Sequence, residues 1–135
     1  VYTQAFIESG GAEAEGQYAS FAVDDPTTAL ANSLFDSLYN ELYGVLPDAL
    51  GPFHAHAFDA MLIIFNAIEQ VAVANDDGSL TIDREALIQA IRATEGVPGL
   101  TGTLTCEVEG DIGECTPSFI GVFQVQNGAW VRVYP

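Results

Sequence analysis

The stretch GPFHAHAFDAMLIIFNAIEQV, residues 51–71, decides the fold, because its apolar residues predict a helix that other parts of the protein must cover. The helix is expected from near Pro52 to about Ala74. Its polar residues Asp59, Asn66 and Gln70 fall on one narrow face. Most of the circumference of this helix should therefore be buried against protein.

The same stretch contains both histidines of the chain, which raises the question of a metal site. On a strand, His54 and His56 would point to one side, as in the HxH motif of zinc-dependent hydrolases, but on a helix they lie roughly 200° apart. His56 and Asp59 could share a helix face, yet a catalytic zinc needs about three protein ligands. We expect no metal site: one histidine should be packed or hydrogen-bonded and the other should face a cleft. A metal-dependent hydrolase that uses HAHAFD is the alternative.

A strand and a helix are predicted before this stretch. The loose alternation of EGQYASFAV indicates a strand from about Gln17 to Ala22. In DDPTTALANSLFDSLYNELYG, Asp25 can cap a helix, Pro26 suits its first position and Gly44 ends it. Every fourth residue of this helix is a leucine, and we expect the stripe to form a buried face. The stripe consists of Leu30, Leu34, Leu38 and Leu42.

The second half of the chain is predicted to form one more helix and then strands. IDREALIQAIRATEG indicates a helix capped near Asp83 and stopped by Gly96 and Pro98. LTGTLTC, SFIGVFQVQ and AWVRVYP are predicted to be strands, and Asn127-Gly128, the preferred dipeptide of a type I′ turn, joins the last two. The expected fold class is α/β, with three helices packed on strands and a C-terminal β-hairpin.

Composition excludes several classes of partner and activity. The chain has 135 residues, 49% of them hydrophobic, enough for about one domain with a core. Nineteen acidic residues and three arginines give a formal net charge of -16, which repels nucleic acids and anionic lipid headgroups. The longest apolar run, residues 60–68, is broken by Asn66 and is far short of the ~20 residues that span a bilayer. The sequence has no GxSxG, CxxC, phosphate-binding glycine loop or lysine, so nothing argues for an enzyme or a cofactor.

The two cysteines and two acidic stretches are the remaining candidates for sites. Cys106 and Cys115 lie close enough to close a short hairpin, so we predict an extracytoplasmic disulfide, with free thiols as the alternative. NDDGSLTIDRE resembles a calcium-binding loop, but Val73 and Arg84 would occupy positions that require carboxylates. We therefore expect an acidic turn. EVEGDIGE is expected to be a solvated hairpin tip.

Because the first residue is Val1, we expect a mature piece or a cut-out segment.

Four stretches, taken in this order, resemble one family. They are AFIESGGAEAEGQYASFAVDDP (5–26), HAHAFDAMLIIFNAIEQV (54–71), IDREALIQAIRATEGVPGLTGTLTCEVEGD (82–111) and FQVQNGAWV (123–131). Nearly the whole chain resembles the C-terminal part of type I periplasmic solute-binding proteins, the branched-chain amino-acid receptor class of ABC importers.

The resemblance implies a two-lobed, Venus-flytrap binder of the periplasmic-binding-protein-like type I fold. Residues 1–135 would form a single fragment, the C-terminal portion of the solute-binding domain, with a hinge crossing near residues 18–25. The protein would be extracytoplasmic, periplasmic or anchored at the cell surface. It would bind an amino acid or similar small molecule and deliver it to an ABC permease. Phe53 and His54 are the positions that the resemblance places near the ligand cleft. A ligand-sensing ectodomain of a signalling receptor is the alternative.

The resemblance also implies that one wall of the cleft, at most, is present. The chain alone should therefore not bind ligand with the affinity of the intact protein. The central strands that the helices should cover are also missing, so self-association through the leucine stripe is expected.

Overall fold

The computed structural model describes residues 2–23, 25–49, 53–106, 115–116 and 119–134. By its internal contacts the chain divides into two compact units. Unit 1 comprises residues 1–23 and 118–135, and unit 2 comprises residues 24–117.

The described residues form four α-helices and eight strands, joined in part by short 3-10 turns at Gly11–Ala14, Pro26–Thr28 and Pro47–Ala49. In chain order the elements are α1 (Gln4–Gly10), β1 (Tyr18–Val23), α2 (Ala29–Tyr43), α3 (His54–Val71), β2 (Val73–Ala74), β3 (Leu80–Thr81), α4 (Arg84–Arg92), β4 (Val97–Pro98), β5 (Thr103–Cys106), β6 (Cys115–Thr116), β7 (Phe119–Gln126) and β8 (Ala129–Tyr134). The mixed composition agrees with the expected α/β class. Helix α1 was not predicted.

Unit 1 is a three-stranded antiparallel sheet, in the order β1-β7-β8, with α1 beside β8. An aromatic cluster forms around the ring of Tyr2, whose centroid lies 4.3 Å from that of Phe123, 4.7 Å from that of Phe21 and 5.4 Å from that of Trp130. The alternation in β7 buries Phe123 and Val125 on one face of the sheet. The predicted strand near residues 17–22 corresponds to β1.

The predicted hairpin at Asn127-Gly128 is confirmed. Strands β7 and β8 pair antiparallel on either side of these two residues, which have φ values of 54° and 74°. Positive φ at both central residues is the requirement of a type I′ turn. The carboxylate of Glu15 accepts the amide of Asn127 at 2.8 Å and that of Gly128 at 3.2 Å. The side chain of Glu15, which follows α1 in the chain, therefore stabilises this turn within unit 1.

Unit 2 has its core where α3 and α4 pack on the short strands β4, β5 and β6. Ile63, Leu104 and Cys106 are its buried centre, and Ile91 of α4 packs against them. Strands β4, β5 and β6 form an antiparallel sheet in that order. The predicted start of α4 is confirmed, since Asp83 Oδ1 accepts the amide of Ala86 at 2.8 Å.

The prediction that α3 is buried around most of its circumference is wrong for the described residues. One face alone is buried, and it consists of Ala55, Asp59, Ile63 and Ala67. Phe58, Met61 and Phe65 are 43%, 45% and 57% exposed, because α2 covers that side only in part, where the ring of Phe35 lies 5.2 Å from that of Phe58. The helix also ends at Val71 rather than near Ala74, since Val73–Ala74 pair with Leu80–Thr81. No helix in the described ranges is long and apolar enough to cross a membrane.

The ends of α2 agree with the prediction, but its buried face does not. Asp25 caps a 3-10 turn that leads into the helix, and Gly44, with φ of 70°, ends it. No residue of α2 is buried, and its leucine stripe is exposed. Burial of a stripe requires a partner surface, and among the described elements only α3 lies beside it, along an open groove.

Candidate functional site

The first turn of α3 places His54 against helix α2. Its imidazole stacks on the ring of Phe35, with centroids 6.0 Å apart and planes within 5° of parallel. The His54 side chain is 20% exposed. Phe53, at the N-cap position, has a more exposed ring that meets the imidazole of His56 edge-on at 6.0 Å. Both predicted ligand-binding residues therefore lie at one helix end.

Two carboxylates flank the imidazole of His54, one beside each ring nitrogen. His54 Nδ1 lies 3.3 Å from Asp48 Oδ1, and His54 Nε2 lies 3.8 Å from Asp36 Oδ1. Asp36 Oδ1 is buried and accepts no hydrogen bond from the described residues. This end of α3 therefore combines an aromatic surface with acidic groups. Sequence reasoning missed both aspartates, because Asp36 lies on a different face of α2 from the leucine stripe and Asp48 lies in the turn after the helix.

The two histidines have different surroundings and do not converge. His56 is partly buried, and its Nδ1 atom is buried without a hydrogen-bond partner among the described residues. Within the described ranges, no three His, Cys, Asp or Glu side chains gather in a group that could hold a metal ion.

An open, mostly apolar groove runs between α2 and α3, and His54 forms part of its wall. Its volume is about 520 Å³. The lining residues are Phe35, Leu38, Tyr39, Leu42, Tyr43, His54, Ala57, Phe58 and Met61. Half of the leucine stripe thus belongs to the same apolar surface as the exposed side of α3. In the described residues this surface is uncovered.

Asp59, which the sequence places with Asn66 and Gln70 on one narrow polar face of α3, is buried. Instead of lying on a polar surface, its carboxylate is 3% exposed and accepts hydrogen bonds from the loop between β4 and β5. A buried carboxylate is tolerated where donors replace the lost water. The donors belong to the PGLTG loop, residues 98–102, about forty residues further along the chain. Helix periodicity cannot reveal partners at that distance in sequence.

Residues 75–79 form the predicted acidic turn, which joins β2 to β3. Asp77 Oδ1 accepts the hydroxyl of Ser79 at 2.6 Å and the amide of Ser79 at 2.9 Å. These bonds, the hydroxyl first, lower the pKa of Asp77 below its usual value. In the same way the amide and hydroxyl of Thr27 lower the pKa of Asp25. The EVEGDIGE stretch, residues 107–114, lies outside the described residues.

The predicted disulfide is confirmed. Cys106 of β5 and Cys115 of β6 are directly opposite in the strand register and are bonded to each other. The bond ties the buried centre of unit 2, to which Cys106 belongs, to β6.

Comparison with solved structures identifies the fold. The leucine-binding protein LivK of Thermotoga maritima is 27% identical, with a TM-score of 0.60 over 96% of this chain and 33% of that one. A protein assigned to a branched-chain amino-acid ABC transporter of Rhodospirillum rubrum is also 27% identical, with a TM-score of 0.56 over 98% of this chain and 35% of that one.

A third structure supports the fold alone, because its sequence is more distant. It is an ABC transporter substrate-binding protein of Desulfitobacterium hafniense in complex with Leu, 18% identical, with a TM-score of 0.55 over 96% of this chain and 38% of that one. No family model matches the sequence, and neither does any curated protein.

These likenesses show the fold of the chain. It is the fold of part of a type I periplasmic binding protein, and the similar structures include proteins of branched-chain amino-acid transport. The chain spans about one third of the length of those structures, as expected for a C-terminal portion. These neighbours are binding proteins and not enzymes, in agreement with the lack of a catalytic motif.

Proposed function

We propose that the intact protein is the extracytoplasmic solute-binding component of an ABC importer, and that it encloses an amino acid or similar small molecule between two lobes. The observation that carries the proposal is the likeness of 96% to 98% of this chain to two solved proteins at 27% identity, one of them leucine-binding. The disulfide supports an oxidising location outside the cytoplasm. An ABC permease would receive the ligand.

The ligand site of this proposal includes Phe53 and His54. The start of a long helix favours a negative group such as a carboxylate, because the helix dipole is positive there. The carboxylates of Asp36 and Asp48 beside His54 suit an ammonium group instead. An amino acid carries both charges, so the polar end of α3 suits its main-chain groups and the apolar groove suits a side chain.

The division of the chain supports the proposed hinge. Units 1 and 2 meet in sequence at residues 23/24 and 117/118. The first of these boundaries falls within the range 18–25 that the resemblance assigned to a hinge crossing. A protein that closes on its ligand needs such crossings, because closure requires backbone rotation at a few residues between compact bodies.

Calorimetric titration of the intact protein with leucine, isoleucine, valine, other amino acids and small amides tests the function. We expect at least one amino acid to bind, and His54→Ala to weaken that binding about tenfold or more with little change in unfolding temperature, because one buried polar contact is lost. His56→Ala is the matched control and should leave affinity unchanged. Unchanged affinity in His54→Ala would remove His54 from the site, and no binding to any of these ligands would contradict the proposed function.

A further inference from the structure

The loop between β4 and β5, residues 99–102, is held by one buried carboxylate. Asp59 Oδ1 accepts the amide of Leu100 at 2.7 Å, and Asp59 Oδ2 accepts the amide and the hydroxyl of Thr101 at 2.8 Å and 2.7 Å. Asp59 and Thr101 are each 3% exposed and Leu100 is 7% exposed. Three donors to one buried carboxylate fix the loop against the first half of α3.

The same loop holds the beginning of unit 2 through its carbonyl groups. The carbonyl of Thr101 accepts the amide of Asp25 at 3.1 Å, and that of Leu100 accepts the side-chain amide of Asn32 at 2.8 Å. Asp25 in turn caps the 3-10 turn that leads into α2, since its Oδ1 accepts the amide of Thr27 at 2.8 Å. Leu100 and Thr101 therefore donate their backbone amides to Asp59 and accept hydrogen bonds from the start of unit 2 with their carbonyl oxygens.

Gly99 allows the close approach of the carboxylate to the loop. A Cβ atom on Gly99 would lie 2.8 Å from Cγ and from both carboxylate oxygens of Asp59. Such a distance is inside van der Waals contact, so any other residue would displace either the loop or the carboxylate. The glycine and the aspartate thus form one arrangement, although they are forty residues apart in sequence.

We infer that Asp59 is a positioning residue that sets the backbone at Asp25, where the chain enters unit 2. It acts through the backbone of Leu100 and Thr101, whose amides bind Asp59, and the Thr101 carbonyl accepts the Asp25 amide. A residue that only filled space on α3 could be apolar, whereas this position has a charged group with three donors directed at it. If the proposed function holds, Asp59 also connects α3, which starts at the candidate ligand site, to the hinge crossing.

Hydrogen exchange of individual amides in the full chain, followed by NMR, tests the inference without any ligand. In Asp59→Asn, one carboxylate oxygen becomes an amide donor that faces a loop donor. We expect the Asp25 amide to exchange about tenfold faster or more, together with those of Leu100 and Thr101. The Val125 amide in unit 1 should keep its rate. Asp76→Asn, an exposed change in the β2–β3 turn, is the matched control and should leave the Asp25 rate unchanged.

Two milder variants keep the test decisive if Asp59→Asn does not fold. Thr101→Val removes the hydroxyl donor alone and should raise the Asp25 rate by a smaller factor, whereas Thr101→Ser keeps the donor and should retain the original rate. Faster exchange at Leu100 and Thr101 with an unchanged rate at Asp25 would overturn the inference. An equal rise at all amides of unit 2 would also overturn it, because Asp59 would then be a general stabiliser. Failure of the amino-acid titrations would leave this result standing.

Discussion

At the scale of single residues, the carboxylate of Asp77 determines how the β2–β3 turn responds to pH. The hydroxyl and amide of Ser79 bind its charged form and lower its pKa. For a carboxyl whose pKa is lowered on folding, the linked stability is present above the unfolded pKa, about 3.9. This stability is lost as the pH falls through the lower pKa that Asp77 has in the folded state. The turn should therefore keep its structure at pH 4 and loosen at more acidic pH.

Removal of the Ser79 hydroxyl tests this cause. In Ser79→Ala the pKa of Asp77 should rise toward the usual value but stay below it, because the Ser79 amide still donates. Titration of the Asp77 side-chain carboxyl by NMR measures the change. Ser37→Ala is the control, since that hydroxyl donates to the carbonyl of Ser33 on α2, and it should leave the pKa of Asp77 unchanged. An unmoved pKa in Ser79→Ala would mean that another group lowers it.

At the scale of elements, the β7–β8 hairpin depends on two residues with positive φ. Gly128, at φ of 74°, adopts a conformation that costs other residues about 1–2 kcal/mol. We expect Gly128→Ala to lower the free energy of unfolding of unit 1 by about that amount. Urea unfolding followed by fluorescence measures it, because the one tryptophan of the chain, Trp130, lies in β8.

Asn127→Gly is the matched control for this hairpin. Glycine reaches the φ of 54° at Asn127 without strain, so this variant should change the free energy of unfolding much less than Gly128→Ala. Equal losses from the two substitutions would show that φ at Gly128 does not limit the stability of the turn. The hydrogen bonds to Glu15 would then be the better explanation, since both residues donate to it.

The elements that could be predicted from the sequence are those with local causes. Asp83 as a helix cap, Gly44 as a helix end and Asn127-Gly128 as a turn each act within a few residues, and the structure agrees with all three. Asp59 was misplaced because its partners are 41 and 42 residues away. Helix α1 was missed because it has only seven residues, and its sequence ends at the glycines that follow. Periodicity alone predicts neither distant hydrogen bonds nor very short helices.

The candidate site could be predicted less completely than the elements. His54 and His56 are both partly buried, and they have different surroundings, as helical spacing requires. The flanking carboxylates of Asp36 and Asp48 come from α2 and from the turn after it, so only the packing of α2 on α3 reveals them. Periodicity predicted an apolar stripe on α2 but could not show whether it is covered.

At the scale of the whole molecule, α2 and α3 expose apolar side chains that globular proteins usually bury. The four leucines of the stripe are 52% to 85% exposed. Contiguous apolar surface of this kind in a water-soluble protein marks a contact with other protein. In the proposed intact receptor, the portion of the fold that this chain does not span would cover it, since the solved neighbours are about three times as long.

Without that cover, the isolated chain should associate with itself through the stripe. Its net charge of -16 opposes association, and salt screens this repulsion while leaving apolar contact intact. We therefore expect sedimentation velocity to show larger species as salt rises from about 0.05 M to about 0.5 M. Replacement of Leu34 and Leu38 by Gln should restore the monomer, whereas the same replacement at Ser33 and Ser37, also exposed on α2, should not. A monomer at all salt concentrations would show that the stripe is stable in water, and the proposal that missing chain covers it would lose its physical basis.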